Sequence, residues 1–286
     1  GRFAGHGKGG RILMNFGLST HLFANDRLSS HILDGIANAG FRQVEIFAAP
    51  QHLDYHDANH VRDVADWFRD HDVEPFSLHA PLYADKEWGS AGGLPISVAY
   101  LERRKRIESM EEIKRAIEVA ELLPFRYLIL HLGLPKEEFN IDKFDAAFTS
   151  LEHLNIYAKE RGVSILLENI PNELTSPERL IRFMHYTHMG LKVCFDTGHA
   201  HMTCGVDHAF EVLKDHIAST HVHDNRQEKD EHLVPFTGGI DWEQAVQGFH
   251  MLDGQVPIMF ELRNFGPAAD CFAKLREIMR RMEEIQ

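Results

Sequence analysis

Six stretches of this chain place an imidazole or a carboxylate where an apolar run ends. They are Ser77-Leu78-His79-Ala80-Pro81, Leu130-His131-Leu132-Gly133, Leu167-Glu168-Asn169, Asp196-Thr197-Gly198-His199-Ala200, His221-Val222-His223-Asp224-Asn225 and Phe260-Glu261-Leu262-Arg263. A polar group buried there costs free energy unless it is hydrogen-bonded, paired or bound to a metal. Taken singly, each has a plain structural role. A strand-end histidine hydrogen-bonds within a core, and a buried glutamate forms half of an ion pair. The argument for chemistry is convergence. At one mouth, Glu168, Asp196 and Glu261 would repel one another in a low dielectric. A divalent cation removes that cost. A mixed nitrogen and oxygen donor set suits zinc, manganese or cobalt better than calcium.

Convergence requires a fold that brings the strand ends together. Eight β-branched or aliphatic runs recur, at residues 12–19, 43–48, 75–80, 127–133, 164–170, 191–197, 217–224 and 257–262. Stretches with helical spacing follow them, at 29–39, 58–70, 100–123, 142–161, 177–187, 206–215, 242–251 and 268–284. Ser29, Asp142, Ser176 (with Pro177 at the first helical position) and Asp241 read as N-caps. Eight strand–helix repeats without a break in composition predict a single-domain α/β fold, a closed parallel (β/α)8 TIM barrel over residues 12–286. A doubly wound open sheet would carry a glycine-rich phosphate turn after its first strand. Here that position reads Gly17-Leu18-Ser19-Thr20. Residues 1–11 show no period and read as an unstructured N-terminal segment, in part non-native. The connections 81–99 and 226–240 are long, and both follow strands, so both belong on the catalytic face.

Composition bounds the alternatives. The 286 residues are 44% hydrophobic and 26% charged, which excludes a disordered chain. Lys and Arg total 30 against 43 Asp and Glu, a net charge of −13, so a nucleic-acid partner is disfavoured. The basic run Arg103-Arg104-Lys105-Arg106 lies in a helix that continues with Glu108, Glu111 and Glu112, and reads as a solvated face. Three widely spaced cysteines, the lack of a secretory segment and the lack of a long apolar run predict a cytoplasmic protein with reduced thiols and no membrane contact.

Strand periodicity adds secondary candidates. His221 shares a face with His223, and Glu261 with Arg263. His223 and Arg263 are therefore candidates for substrate contact, with Arg263 equally able to pair a metal-bound carboxylate. Glu45 faces either the mouth, touching substrate, or the lower barrel, in an ion pair. Asp230 and His232 repeat the two-residue spacing, although a solvated charge cluster explains them too. Gly238-Gly239 could offer amides to a phosphate. Cys204 reads as an inert loop thiol rather than a zinc ligand. His185, His188, His208, His216 and His250 read as surface residues of helices. The loop around Trp88 has the composition of a lid over a small ligand.

Assembled, these motifs resemble the xylose isomerase-like TIM-barrel superfamily, which holds sugar and sugar-phosphate isomerases and epimerases and the tri-zinc apurinic endonucleases. The resemblance runs from residue 12 to the last helix. For the isomerases and epimerases it implies one divalent metal held by Glu168, Asp196, His221 and Glu261. Glu168 and Glu261 would then exchange protons with a small carbohydrate or hydroxy-carbonyl substrate, through an enediolate. For the endonucleases it implies up to three zinc ions, with His79, His131, His199, Asp230 and His232 as further ligands and a phosphodiester as substrate. All five residue types are present, and the same five can instead bind sugar hydroxyls. The metal-dependent isomerase or epimerase is the expected function, the zinc phosphodiesterase its alternative, and a catalytically silent binding barrel a third reading. The sequence leaves the oligomeric state open; helix faces of such barrels commonly self-associate, so a homo-oligomer is one possibility.

Overall fold

Short β-branched and aliphatic runs, each closed by a turn, form eight strands in the computed structural model, which describes residues 14–286. The expected N-terminal segment, 1–11, lies outside the described residues, as does the start of the first run. The strands are β1 Phe16–Ser19, β2 Gln43–Phe47, β3 Glu74–His79, β4 Tyr127–Leu130, β5 Ser164–Glu168, β6 Lys192–Asp196, β7 Ile217–His221 and β8 Ile258–Phe260. All recorded strand pairs are parallel, in the order β7-β6-β5-β4-β3-β2-β1-β8. The ring closes just beyond β7. There Val222 pairs with Phe260, its N–H donating to Met259 O at 2.8 Å. The fold is a TIM barrel in one domain.

The helices among the described residues are α1 Ser30–Asn38, α2 Ala58–Asp70, α3 Arg103–Glu118, α4 Ile141–Lys159, α5 Pro177–Thr187, α6 Thr197–Met202, α7 Val206–Leu213, α8 Trp242–Phe249 and α9 Ala268–Glu284. Their apolar stripes (Leu33 and Ile36 on α1, Phe183 on α5, Leu275 on α9) are buried against the outer faces of the strands. Burying each such side chain is worth about 1.5–3 kcal/mol. Inside the barrel Ile129, Leu166, Cys194 and Ala218 form a small apolar plug. Above it the inward positions become polar. No helix among the described residues is long and apolar enough to cross a membrane.

Several boundaries differ from expectation. The helix expected over 100–123 begins at Arg103 and tightens into a 3-10 turn at Val119–Glu121. Asn140, not Asp142, caps α4, because its side chain reaches the amides of Asp142 and Lys143. Ser29 and Ser176 stand at N-cap positions without a side-chain hydrogen bond, whereas Asp241 caps α8 through Gln244 N. Helix α6 was not expected. Asp196 starts it, accepting from His199 N at 2.7 Å.

Candidate metal centre

Register brings the polar strand ends to one height. Asp196 on β6 pairs with His221 on β7, and Phe47 on β2 with His79 on β3. Glu168, Asp196, His221 and Glu261 are all buried, and one donor atom of each lies within 4.8 Å of the others. His221 is oriented from behind. Its Nε2–H donates to Glu45 Oε1 at 2.8 Å, and Glu45 Oε2 accepts the Ser77 hydroxyl at 2.7 Å. Nδ1 of His221 therefore carries a lone pair and has no hydrogen-bond partner. It faces Glu168 Oε1 at 3.2 Å, Glu261 Oε2 at 3.5 Å and Asp196 Oδ2 at 3.7 Å. A lone pair directed at three carboxylates is unfavourable unless a proton or a cation lies between them. The donor set thus fits a divalent cation.

Two further groups flank this one. Nε2 of His79 and of His131 lie 3.4 and 2.9 Å from Glu168 Oε2. His79 Nδ1–H donates to Ala80 O, which turns its other nitrogen inward. On the far side His199, His223, Asp230 and His232 gather. His199 and His232 spend Nδ1–H on the carbonyls of Asn169 and Glu261, and each directs Nε2 at Asp230 Oδ2, at 3.0 and 3.1 Å. His223 donates Nε2–H to Asp196 Oδ2 at 3.0 Å, leaving its buried Nδ1 unpartnered. His79, His199, His221, His223 and His232 thus each have one nitrogen anchored by a hydrogen bond and the other directed toward the donor groups.

Without a cation, protons take up the imbalance. Burial opposes charge on His199, yet the carboxylates of Asp196 and Asp230 raise its pKa well above the ordinary value. His232 is likewise raised to about 9 by Asp230, against burial. Burial pushes Glu168 up, but the His221 and His131 imidazoles outweigh it and hold the carboxyl well below the usual range. Glu168 therefore stays ionised despite its burial.

The secondary candidates divide. His223 joins the cluster. Glu45 is fully enclosed and supports His221 from the barrel interior, so of its two expected surroundings the structure shows the enclosed one, with His221 as the partner. Arg263 is exposed, with its N–H donated to His232 O at 3.1 Å. The amides of Gly238 and Gly239 are not open to a phosphate, because they donate to Asp224 Oδ2 and Asn225 O. Cys204 is exposed and belongs to none of the donor groups. His21 went unnoticed in the sequence. It sits on the 3-10 turn that follows β1, its Nδ1–H donated to Leu262 O, and its ring lies 4.8 Å from that of His232. The signal was the same strand-end rule, applied one turn further on. Phe47 and Trp88 pack beside it, with ring centroids 5.3 Å apart.

Relatives carry the same frame. The chain is 29% identical over 168 residues to an uncharacterised protein of Sinorhizobium fredii, a match that covers 55% of this chain and spans about half (53%) of that relative. An uncharacterised protein of Methanocaldococcus jannaschii is 26% identical over 283 residues, 95% of this chain and 90% of the relative. Among solved structures, a D-tagatose 3-epimerase-like protein superposes with TM-score 0.74 at 25% identity, covering 95% of this chain and 99% of that one. An IolI protein with a bound zinc atom superposes with TM-score 0.77 at 16% identity, over 94% and 98% of the two chains; at that identity the likeness is one of fold. The family described as xylose isomerase-like TIM barrel is matched over residues 33–282. With strand order, barrel closure and family match in agreement, the chain belongs to the xylose isomerase-like TIM barrel family.

Proposed function

We propose that this protein is a divalent-metal-dependent isomerase or epimerase of a small sugar or related hydroxy-carbonyl compound. One observation carries the reading. Glu168 and Glu261, from strands three apart in the ring, meet around the unpartnered Nδ1 of His221, at 3.2 and 3.5 Å. A cation held there by Glu168, Asp196, His221 and Glu261 would polarise a carbonyl and acidify the neighbouring C–H bond. One glutamate then takes that proton, and the C–H electron pair delocalises onto the carbonyl oxygen. The other glutamate returns a proton on the opposite face, or at the adjacent carbon, to give epimer or isomer. Phe47 and Trp88 pack together beside the site and would shield a carbanion from water. The likeness to a D-tagatose 3-epimerase-like protein points the same way.

The test is exchange of substrate carbon-bound hydrogen with D2O, read by NMR over a panel of ketohexoses with added manganese, zinc or cobalt. The wild type is expected to exchange. Glu168→Gln and Glu261→Gln are each expected to lose exchange by about 100-fold or more while the fold is retained. Full exchange in either variant overturns that assignment.

A second reading, a multinuclear zinc phosphodiesterase, draws on the flanking groups. His79 with His131, and His199 with His223, Asp230 and His232, supply donors that a mononuclear site does not need. Hydrolysis of abasic DNA or of bis(p-nitrophenyl) phosphate, without hydrogen exchange on any ketose, would favour it. The net charge of −13 weighs against a polyanionic substrate.

A further inference from the structure

We propose that the substrate is an α-hydroxyketone carrying an apolar ring rather than a free sugar, and that the ring lies in the cavity beside the metal centre. This rests on the isomerase or epimerase reading of the same site. The cavity, of about 610 Å³, opens directly from His131, His199 and Asp230. Four different connections build its apolar wall: Tyr83 and Ile96 after β3, Leu134 after β4, Ile170 after β5 and Met202 at the end of α6. That volume accepts a ligand of drug size.

The wall is fixed by the backbone. Ile96 N–H donates to Leu82 O at 2.8 Å, and Tyr83 bridges to Pro95 across the same loop. Lys136 N–H donates to Pro171 O at 2.7 Å and joins the connections after β4 and β5. The connection after β7 gives the cavity a polar side, with Gln227, Glu228 and Asp230, but the apolar wall opposite is unsuited to a free ketose. A sugar has a hydroxyl on nearly every carbon, and each one moved against apolar side chains gives up hydrogen bonds to water without replacement. An apolar ring loses nothing there and gains burial. The hydroxyketone end would remain with the glutamates. Lys136 and Lys229 stand exposed among the lining residues and offer the competing chemistry, an anionic group such as a phosphate. Ile170 is buried and Tyr83, Ile96, Leu134 and Met202 are half-buried, whereas both lysines are exposed, so the proposal commits to the ring.

The experiment compares D2O exchange, with metal supplied, for D-fructose, D-fructose 6-phosphate and the phenyl ether of dihydroxyacetone. The ether is expected to exceed D-fructose in kcat/KM by at least about tenfold. Leu134→Asp and Ile96→Asp, two separate positions on the wall, are each expected to cancel that advantage, so that within each variant kcat/KM for the ether falls to that for D-fructose. Binding of phenyl β-D-glucoside, measured by calorimetry, is expected in the wild type and lost in both variants. Equal or better turnover of D-fructose overturns the proposal. So does a preference for the phosphate ester. If nothing exchanges, the isomerase reading fails, and the glucoside then decides the cavity alone: binding lost in the variants upholds an apolar-ring site, and no binding overturns it.

Discussion

Glu45 shows how much one buried carboxylate can determine. It is fully enclosed, and both its oxygens are used, one by His221 and one by Ser77. Holding Nε2–H of His221 keeps that ring in the tautomer whose Nδ1 faces the other three donors. A carboxylate behind a ligating histidine typically contributes about 10- to 100-fold in metal affinity. Glu45→Ala should therefore weaken cation binding by roughly that factor, measured by competition with a chromogenic chelator, with Glu45→Gln in between because its amide oxygen still accepts. Unchanged affinity in Glu45→Ala would reduce Glu45 to a packing residue. The sequence left this residue with two possible surroundings for a physical reason. Alternation tells which side chains share a face, not the height they reach. Height follows from register, and the β2–β3 pairing shifts register between Val44 and Glu45. Arg263 illustrates the complementary failure. Strand β8 ends at Phe260, so the two-residue rule no longer holds beyond it.

The element that decides the far side of the centre is the connection after β7. Its anchor is Asp224, whose carboxylate accepts from the N–H groups of Asn225, Gly238 and Ile240 and from Trp242 Nε1. This ties both ends of the long loop together, and the loop delivers Asp230 and His232. Gly238 must be glycine for this. A Cβ there would lie 2.3 Å from Asp224 Oδ1 and 2.5 Å from Asn225 O. Gly238→Ala should cost about 1–3 kcal/mol of stability as the overpacked loop shifts, and should loosen the His199–Asp230–His232 group. Gly254→Ala is the control, since a Cβ there meets nothing within 4 Å. Equal melting temperatures for the two variants would mean that the loop does not depend on the Asp224 anchor. The length of this connection was legible in the sequence, and its place on the catalytic face followed from the barrel rule. The role of the Gly-Gly pair was not, because amides open to a phosphate and amides given to Asp224 have the same sequence. Helix α6 escaped notice because six residues cannot display a helical period; its start is visible only as the cap that Asp196 makes.

At the scale of the whole barrel, strand–helix alternation was readable because apolar runs and amphipathic stretches repeat without interruption. The strand-end donors were readable because they break an otherwise apolar pattern. The barrel is stabilised by its apolar layers and opposed by the polar mouth, where buried Glu168, Asp196, Glu261 and four histidines (His79, His199, His221, His223) crowd together. Cation binding relieves that opposition only in the folded state, so it should add directly to stability. At a cation concentration about 100-fold above Kd the gain is about 2.7 kcal/mol, which for a chain of this size corresponds to a rise of roughly 4–5 °C in Tm. Protein stripped with EDTA should remain folded, since the apolar layers persist, yet melt lower by about that amount; manganese, cobalt or zinc should restore it. Glu168→Gln, which weakens a donor shared by two of the groups, should respond much less. Elemental analysis of protein purified without chelator then separates the two chemistries. About one tightly held cation per chain leaves the flanking histidines to substrate or to structure, as the isomerase reading requires. Two or three zinc ions would mean that His79 with His131, and His199 with Asp230 and His232, also act as ligands, and the phosphodiesterase would become the better account of this mouth.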